Sequence, residues 1–419
     1  MFSQERNQMK KIYIVLTAAL CLLLSPALFP QQPAAEHYEL ANKVLSSVPL
    51  LDGHNDLLLH YYYYKDLKGD LDKYDIATRT SGHTDIPRLR EGKVGAQFFT
   101  VFSMDKNNVT KTLMKTIDCF YRIKDRYKDD FMFAKTADDI MTSFKSGKIA
   151  MLMNIEGGEE IENSLPLLRL YYELGVRYMT LTWNNTHDWA DAGLDTAKHN
   201  GLSDFGKEVV KEMNRLGMLV DISHVSDKVM LDVFETSESP VIYSHSNARK
   251  FASTKRNVTD DILLKLKENN GIIMLSFVAF FVTQDYADWF DNYETVYNSL
   301  QKENKETAKE KIEEWKKMNP APTVTISDLA DHFDHIKNLI GVEHIGIGSD
   351  FDGFSNTIEN LDDCSKFPNL FAELARRGWT ESELKKIAGE NFLRVFRDAE
   401  KVSGRLRLQL QPSIKTIKN

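Results

Sequence analysis

The chain has 419 residues, with 61 Asp and Glu against 53 Lys and Arg, a formal net charge of −8. That length can bury a large core, in one large domain or two smaller ones. The acidic balance argues against nucleic acid as the main partner, and the composition is that of an ordinary globular protein.

At the N-terminus, Lys10 and Lys11 precede an apolar run over 12–24, then small residues and Pro26. This is the order of a secretory signal, too short for a comfortable membrane span. Residues 1–35 are therefore expected to be signal and linker, cut between Ser25 and Ala35. The mature chain is expected to be periplasmic or secreted, without a stable membrane anchor. Cys119 and Cys364 remain after cleavage. They can pair in an oxidising compartment but do not have the C-x-x-C spacing of a metal site.

Eight short apolar runs follow, at 48–52, 94–102, 149–155, 177–182, 218–222, 241–244, 271–278 and 344–348. They alternate with helix-like stretches, and several are apolar on both faces, as buried parallel strands are. The fold class this predicts is α/β, a (β/α)8 TIM barrel over residues 36–405 with a C-terminal tail at 406–419. An open doubly wound sheet is the competing architecture. It needs a glycine-rich phosphate loop after an early strand, and the sequence has none. The longest interruption, near 285–322, is rich in Lys, Glu and Tyr. Within it 303–317 reads as a solvated helix, and the whole as an excursion over the barrel mouth, a lid or dimer element. Thr380-Glu-Ser-Glu383 is a capping box. Leu384, Ile387, Ala388, Phe392 and Val395 then recur at helical spacing, a face that can pack on the barrel.

Five metal-type side chains stand at the ends of these runs. His54 and Asp56 close the first, Glu156 the third, His224 the fifth and His245 the sixth. Strand ends are where parallel barrels place their chemistry. In a strand, residues two apart point the same way, so His54 and Asp56 can reach one ion. Each signal alone is weak: His-x-Asp is often a surface pair, Glu156 could begin a helix, and a single strand-end histidine is often a core residue. Together, three histidines and two carboxylates are the ligand set of a borderline metal such as zinc. Five ligands exceed one tetrahedral site and suit two metals that share a carboxylate. Asp350 ends the eighth run and can move a proton at the same mouth. Arg256, after His245, suits two-bond binding of a carboxylate, although most such arginines are simply exposed.

The chain resembles the membrane (renal) dipeptidase family of zinc dipeptidases. The resemblance rests on Leu51-Asp-Gly-His-Asn-Asp56, Ile155-Glu-Gly-Gly158, Gly175-Val-Arg-Tyr-Met-Thr-Leu-Thr182, Asp221-Ile-Ser-His224, Ser244-His-Ser246, Lys255-Arg-Asn-Val258 and Gly346-Ile-Gly-Ser-Asp-Phe-Asp-Gly353. It continues through Glu373-Leu-Ala-Arg-Arg377 and Asn391-Phe-Leu-Arg-Val-Phe396, in family order. The resemblance implies two Zn2+ per chain. His54 and Asp56 would hold one, His224 and His245 the other, and Glu156 would bridge. It implies Asp350 as acid/base, Arg256 on the substrate carboxylate, dipeptide substrates that include some with a C-terminal D-residue, and a homodimer. The family has a substrate-contacting histidine directly after Thr-Leu-Thr, where this chain has Trp183; His187, four residues on, is the candidate replacement.

The function expected is therefore a binuclear zinc dipeptidase acting through a metal-bridging hydroxide. Two alternatives are another amidohydrolase, such as a deacetylase or lactonase, and a non-catalytic binding protein on the same scaffold. Amidohydrolases of the first kind usually begin with His-x-His, whereas this chain has His-x-Asp. Loss of a ligand or of Asp350 would favour the second, and none is lost.

Overall fold

Strand alternation builds the barrel and aims its mouth. In β4 (Ile149–Glu156), Ala150 and Leu152 join one buried cluster, while Met151, Met153 and Ile155 join another. In β2 (Val94–Val101), Ala96 and Phe98 face the first cluster and Phe99 and Val101 the second. The first cluster is the barrel interior and the second is the layer between barrel and helices, as a period of two requires. Along the interior face of β4 the series Ala150, Leu152, Asn154, Glu156 turns from apolar to polar towards the mouth.

The computed structural model describes residues 32–64 and 67–417; the expected signal segment lies almost wholly outside them. The other strands are β1 (Leu50–Asp52), β3 (Phe131–Phe133), β5 (Val176–Thr180), β6 (Leu219–Asp221), β7 (Ile242–Tyr243), β8 (Ile272–Leu275) and β9 (Ile345–Ile347). All pairings between named strands are parallel, in the order β2-β1-β9-β8-β7-β6-β5-β4, and β2 pairs with β4 to close the ring. The eight predicted runs are these eight barrel strands, and the fold is a (β/α)8 TIM barrel. The additional strand β3 was not predicted. It pairs with 149–151 of β4, below the point where β5 joins at Met153.

The capping box forms, with Thr380 and Glu383 each accepting from the other's backbone N–H. The face from Leu384 to Val395 is buried. The last helix, Asn391–Gln409, runs past the expected boundary at 405, and Phe392 and Phe396 join the barrel-interior cluster. Residues beyond it still touch the domain, through Lys415 on Glu208. The excursion is two helices, Gln284–Glu303 and Lys305–Met318, joined at Asn304, whose side chain caps the second. Trp289, Tyr293 and Trp315 pack between them. No helix among the described residues is long and apolar enough to cross a membrane. Cys119 and Cys364 are both buried and free; they do not pair.

Candidate metal centre

Three histidines and two carboxylates from four strands meet at the C-terminal mouth of the barrel. Glu156 divides its carboxylate between two groups. Its Oε2 lies 3.6 Å from His54 Nε2, which is 3.7 Å from Asp56 Oδ1. Its Oε1 lies 2.9 Å from His224 Nε2 and 3.5 Å from His245 Nε2. Zinc–ligand bonds of about 2.0–2.2 Å give ligand–ligand edges of about 3.3–3.6 Å in a tetrahedron, so the spacing fits metal coordination.

The imidazoles are set to present Nε2. Tyr178 Oη donates to the Gly53 carbonyl and so accepts from His54 Nδ1 at 2.9 Å. Asn184 Oδ1 accepts from His224 Nδ1 at 3.0 Å. Ser244 Oγ donates to Asp221 at 2.6 Å and accepts from His245 Nδ1 at 2.7 Å. With all three Nδ1 atoms protonated, the Nε2 lone pairs converge on the centre, and such partners fix the tautomer of a metal ligand. His224 Nε2 and His245 Nε2 are 2.9 Å apart. Neither nitrogen has a proton to share in these tautomers, so a cation between them is the arrangement their lone pairs suit. Asp56 Oδ1 is buried without a hydrogen-bond donor.

The electrostatics agree. Burial depresses His224 to about 4, with Arg256 adding to the effect, so its ring is neutral, the form a metal binds. Burial pulls His54 down, yet the carboxylates of Glu156 and Asp56 outweigh it and hold it up at about 10. That corner demands a positive charge, which an ion would supply in place of a proton.

Backbone geometry aims two of these residues. His224 and Asp350 have φ of 66° and 68°, the left-handed region that L-residues enter at a cost of about 1–3 kcal/mol when the surroundings over-determine it. Asp350 Oδ1 is 4.0 Å from His54 Nε2. Burial pushes its carboxyl up to about 7 against the attraction of His54, with Glu156 adding repulsion. Beneath the mouth Asp52 clamps β1 to β9 by accepting from Ser349 N and Oγ, and Asp221 clamps β6 to β7 by accepting from the Ser244 backbone and hydroxyl.

A cavity of about 620 Å³ opens over the centre, and Asp56, Glu156, His224, Arg256 and Asp350 all line it. Arg256 is 2% exposed. Its guanidinium lies 5.0 Å from the Phe281 ring, and Nη1 has no protein partner. The excursion reaches the cavity through Gln284, Ala287, Phe290, Asp291 and Glu294 of its first helix.

His187 is placed elsewhere. Its Nε2 donates to the Leu181 carbonyl at 2.8 Å, its Nδ1 accepts from Trp189 N, and its ring packs 4.4 Å from that of Trp189. It is not among the cavity-lining residues, and burial lowers it to about 4. These contacts tie the ring to the loop after β5 and leave it out of the cavity, which Trp183 and Asn184 line there.

A barrel whose strand ends gather a buried histidine–carboxylate cluster under a cavity is the architecture of a metal-dependent hydrolase. Residues 38–410 match the sequence model of the membrane dipeptidase family, peptidase family M19, and the chain belongs to that family. Dipeptidase tcpJ of Claviceps purpurea (strain 20.1) is 35% identical over 398 residues, which cover 87% of this chain and 85% of that protein. Among solved structures, the probable dipeptidase PvdM of Pseudomonas aeruginosa superposes with a TM-score of 0.77 at 19% identity, over 88% of this chain and 99% of that one. A metallopeptidase of Rhodobacter sphaeroides, liganded with a phosphinate mimic of L-Ala-D-Ala, gives 0.70 at 23% identity, over 84% and 99%.

Proposed function

We propose that this chain hydrolyses the peptide bond of dipeptides at a binuclear zinc centre held by His54, Asp56, Glu156, His224 and His245, and that it accepts substrates with a D-residue at the second position. The observation that carries this reading is the division of Glu156 between two ligand groups, His54 with Asp56 on one side and His224 with His245 on the other. When bound, the two metals would lower the pKa of a water and polarise the scissile carbonyl. The unpartnered Nη1 of Arg256 points to recognition of the substrate's C-terminal carboxylate. Asp350 would accept the proton of the attacking water at its carboxylate and pass it to the departing amine nitrogen. The ligand of the Rhodobacter sphaeroides neighbour agrees with the D-residue.

Two measurements test this. Elemental analysis of chain purified without chelator should approach about two zinc equivalents; a limit of one with full activity sinks the bridging role of Glu156. Turnover of L-Ala-D-Ala and L-Ala-L-Ala should be compared with that of N-acetylalanine and a simple lactone. Preference for either of the last two would favour a deacetylase or lactonase.

Gly353 tests the packing of the centre. A Cβ there would lie 2.3 Å from Asp56 Oδ2 and 2.7 Å from Asp350 Oδ1. Gly353→Ala must move both carboxylates by some tenths of an ångström, which is expected to lower kcat/KM by roughly 10-fold and to weaken zinc retention. Unchanged kinetics and zinc content would show that neither carboxylate needs its present position.

A further inference from the structure

We propose that this enzyme selects dipeptides whose N-terminal residue is bulky and apolar, above all aromatic, and that Phe102, Met104, Trp183 and Tyr64 form the pocket for that side chain. The inference rests on the dipeptidase reading and deepens it.

The ring order fixes the direction of the substrate. Around the closed barrel, β7 stands opposite β2. Arg256 follows β7 and carries the buried, unpartnered guanidinium nitrogen of the cavity. A dipeptide held there by its C-terminal carboxylate, with its peptide carbonyl over the cluster, runs towards β2. Its N-terminal side chain therefore meets the residues that leave β2 and its ring neighbours. Phe102 and Met104 follow β2, Leu59 and Tyr64 follow β1, and Trp183 follows β5, which lies one strand beyond β4.

That corner is apolar, and two of its side chains are open to solvent, whereas Phe102 is buried. The Phe102 and Trp183 rings meet at 5.1 Å, tilted by 60°. Tyr64 is 46% and Met104 47% exposed, and both line the cavity. Large apolar groups left open inside a cleft mark a surface that a ligand covers. The Arg256 side differs. Phe281 is engaged by the guanidinium, and Phe280 stacks on Phe290 at 4.4 Å with an interplanar angle of 2°, so these rings largely cover one another. The lining there also carries Ser253, Lys255, Gln284, Asp291 and Glu294. Apart from the cluster itself, the charged side chains of the lining, Lys255, Arg256, Asp291 and Glu294, thus stand at the carboxylate end, and none of Leu59, Tyr64, Phe102, Met104 and Trp183 at the amino end carries a charge. A volume of about 620 Å³ exceeds what two small residues fill.

The test measures kcat/KM of the zinc-loaded enzyme on Phe-Ala, Ala-Phe, Ala-Ala and Asp-Ala. Burying a large side chain should favour Phe-Ala over Ala-Ala by roughly 10- to 100-fold, with Ala-Phe below Phe-Ala and Asp-Ala lowest. Trp183→Ala with Phe102→Ala should shrink the Phe-Ala to Ala-Ala ratio to about threefold or less. Met104→Glu, at a half-exposed position that leaves the core untouched, should lower the ratio and raise Lys-Ala relative to Phe-Ala. Calorimetry with phosphinate analogues of Phe-Ala and Ala-Ala ranks affinity without turnover. Equal values for Phe-Ala and Ala-Ala, or a preference for Ala-Phe, overturn the proposal. If no dipeptide is hydrolysed, the dipeptidase reading falls, while the calorimetric ranking still decides the pocket.

Discussion

Asp350→Asn is expected to lower kcat by about 10²- to 10⁴-fold, the scale of general acid–base catalysis, with zinc content unchanged. The amide has the shape of the carboxyl but cannot take up a proton. The left-handed backbone of Asp350, with φ of 68°, turns the side chain over the cluster, where the proposed role needs it, and its N–H is held by the His54 carbonyl. Asparagine tolerates that conformation well, so the fold should persist and the change should isolate the chemistry. The measurement is kcat with metal analysis of the same preparation. Near-normal turnover would remove Asp350 from the proton path. A fall in kcat with a parallel loss of zinc would instead make it a metal ligand, which its 4.0 Å approach to His54 Nε2 allows geometrically.

The residues of the cluster were legible because barrel strands are short and apolar until they end. Glu156 stands out after seven residues of β4 that carry no charge, and the alternation along that strand turns it inward. His54, His224 and His245 stand at similar exits. What could not be read were contacts that exist only once the ring closes. Tyr178 is 124 residues from His54 and looks like any aromatic of a buried strand, yet it orients that imidazole. Asn184 and Ser244 hold the other two rings. Asn184 sits inside an Asn-x-Thr triplet, and Ser244 next to its histidine looks like a turn residue. For Asn184 and Ser244 the only available signal was position, at or just past the C-terminal end of a predicted strand, and Tyr178, near the start of its run, offered none.

The misreadings have equally local causes. β3 is only Phe131–Phe133, too short to show a period, and it exists because β5 leaves the lower edge of β4 open. His187 seemed near enough to Trp183 to substitute for an imidazole. The loop after β5 instead turns its Nε2 back to the Leu181 carbonyl, which no spacing argument reveals. The excursion expected near 285–322 consists of two helices, and the first lines the cavity through Gln284, Ala287, Phe290, Asp291 and Glu294. Its exposed face is charged in both helices, so sequence polarity could not separate the half that meets the cavity.

Arg256→Lys is expected to lower kcat/KM for dipeptides by roughly 10- to 150-fold, which corresponds to the 1.5–3 kcal/mol of one charge-assisted contact. Charge is conserved in this substitution, so the loss reads geometry. A guanidinium can grip a carboxylate with two parallel N–H bonds, whereas an ammonium is a point charge on a flexible stem. The protein has already committed the other parts of this side chain: the face lies against Phe281, and Nη2 reaches the His245 carbonyl at 3.4 Å. Nη1 is left buried and without a partner, and an unpartnered buried donor costs about 1–3 kcal/mol unless something else satisfies it. In the proposed reading a substrate carboxylate would do so. The same anchor would fix which bond reacts, namely the last peptide bond of a substrate with a free C-terminus, which is the only one a dipeptide has. Wild-type enzyme should therefore cleave a dipeptide well and its C-terminal amide poorly, and Arg256→Lys should narrow the gap between them. Equal cleavage of dipeptide and amide by the wild type would show that Arg256 does not anchor the carboxylate.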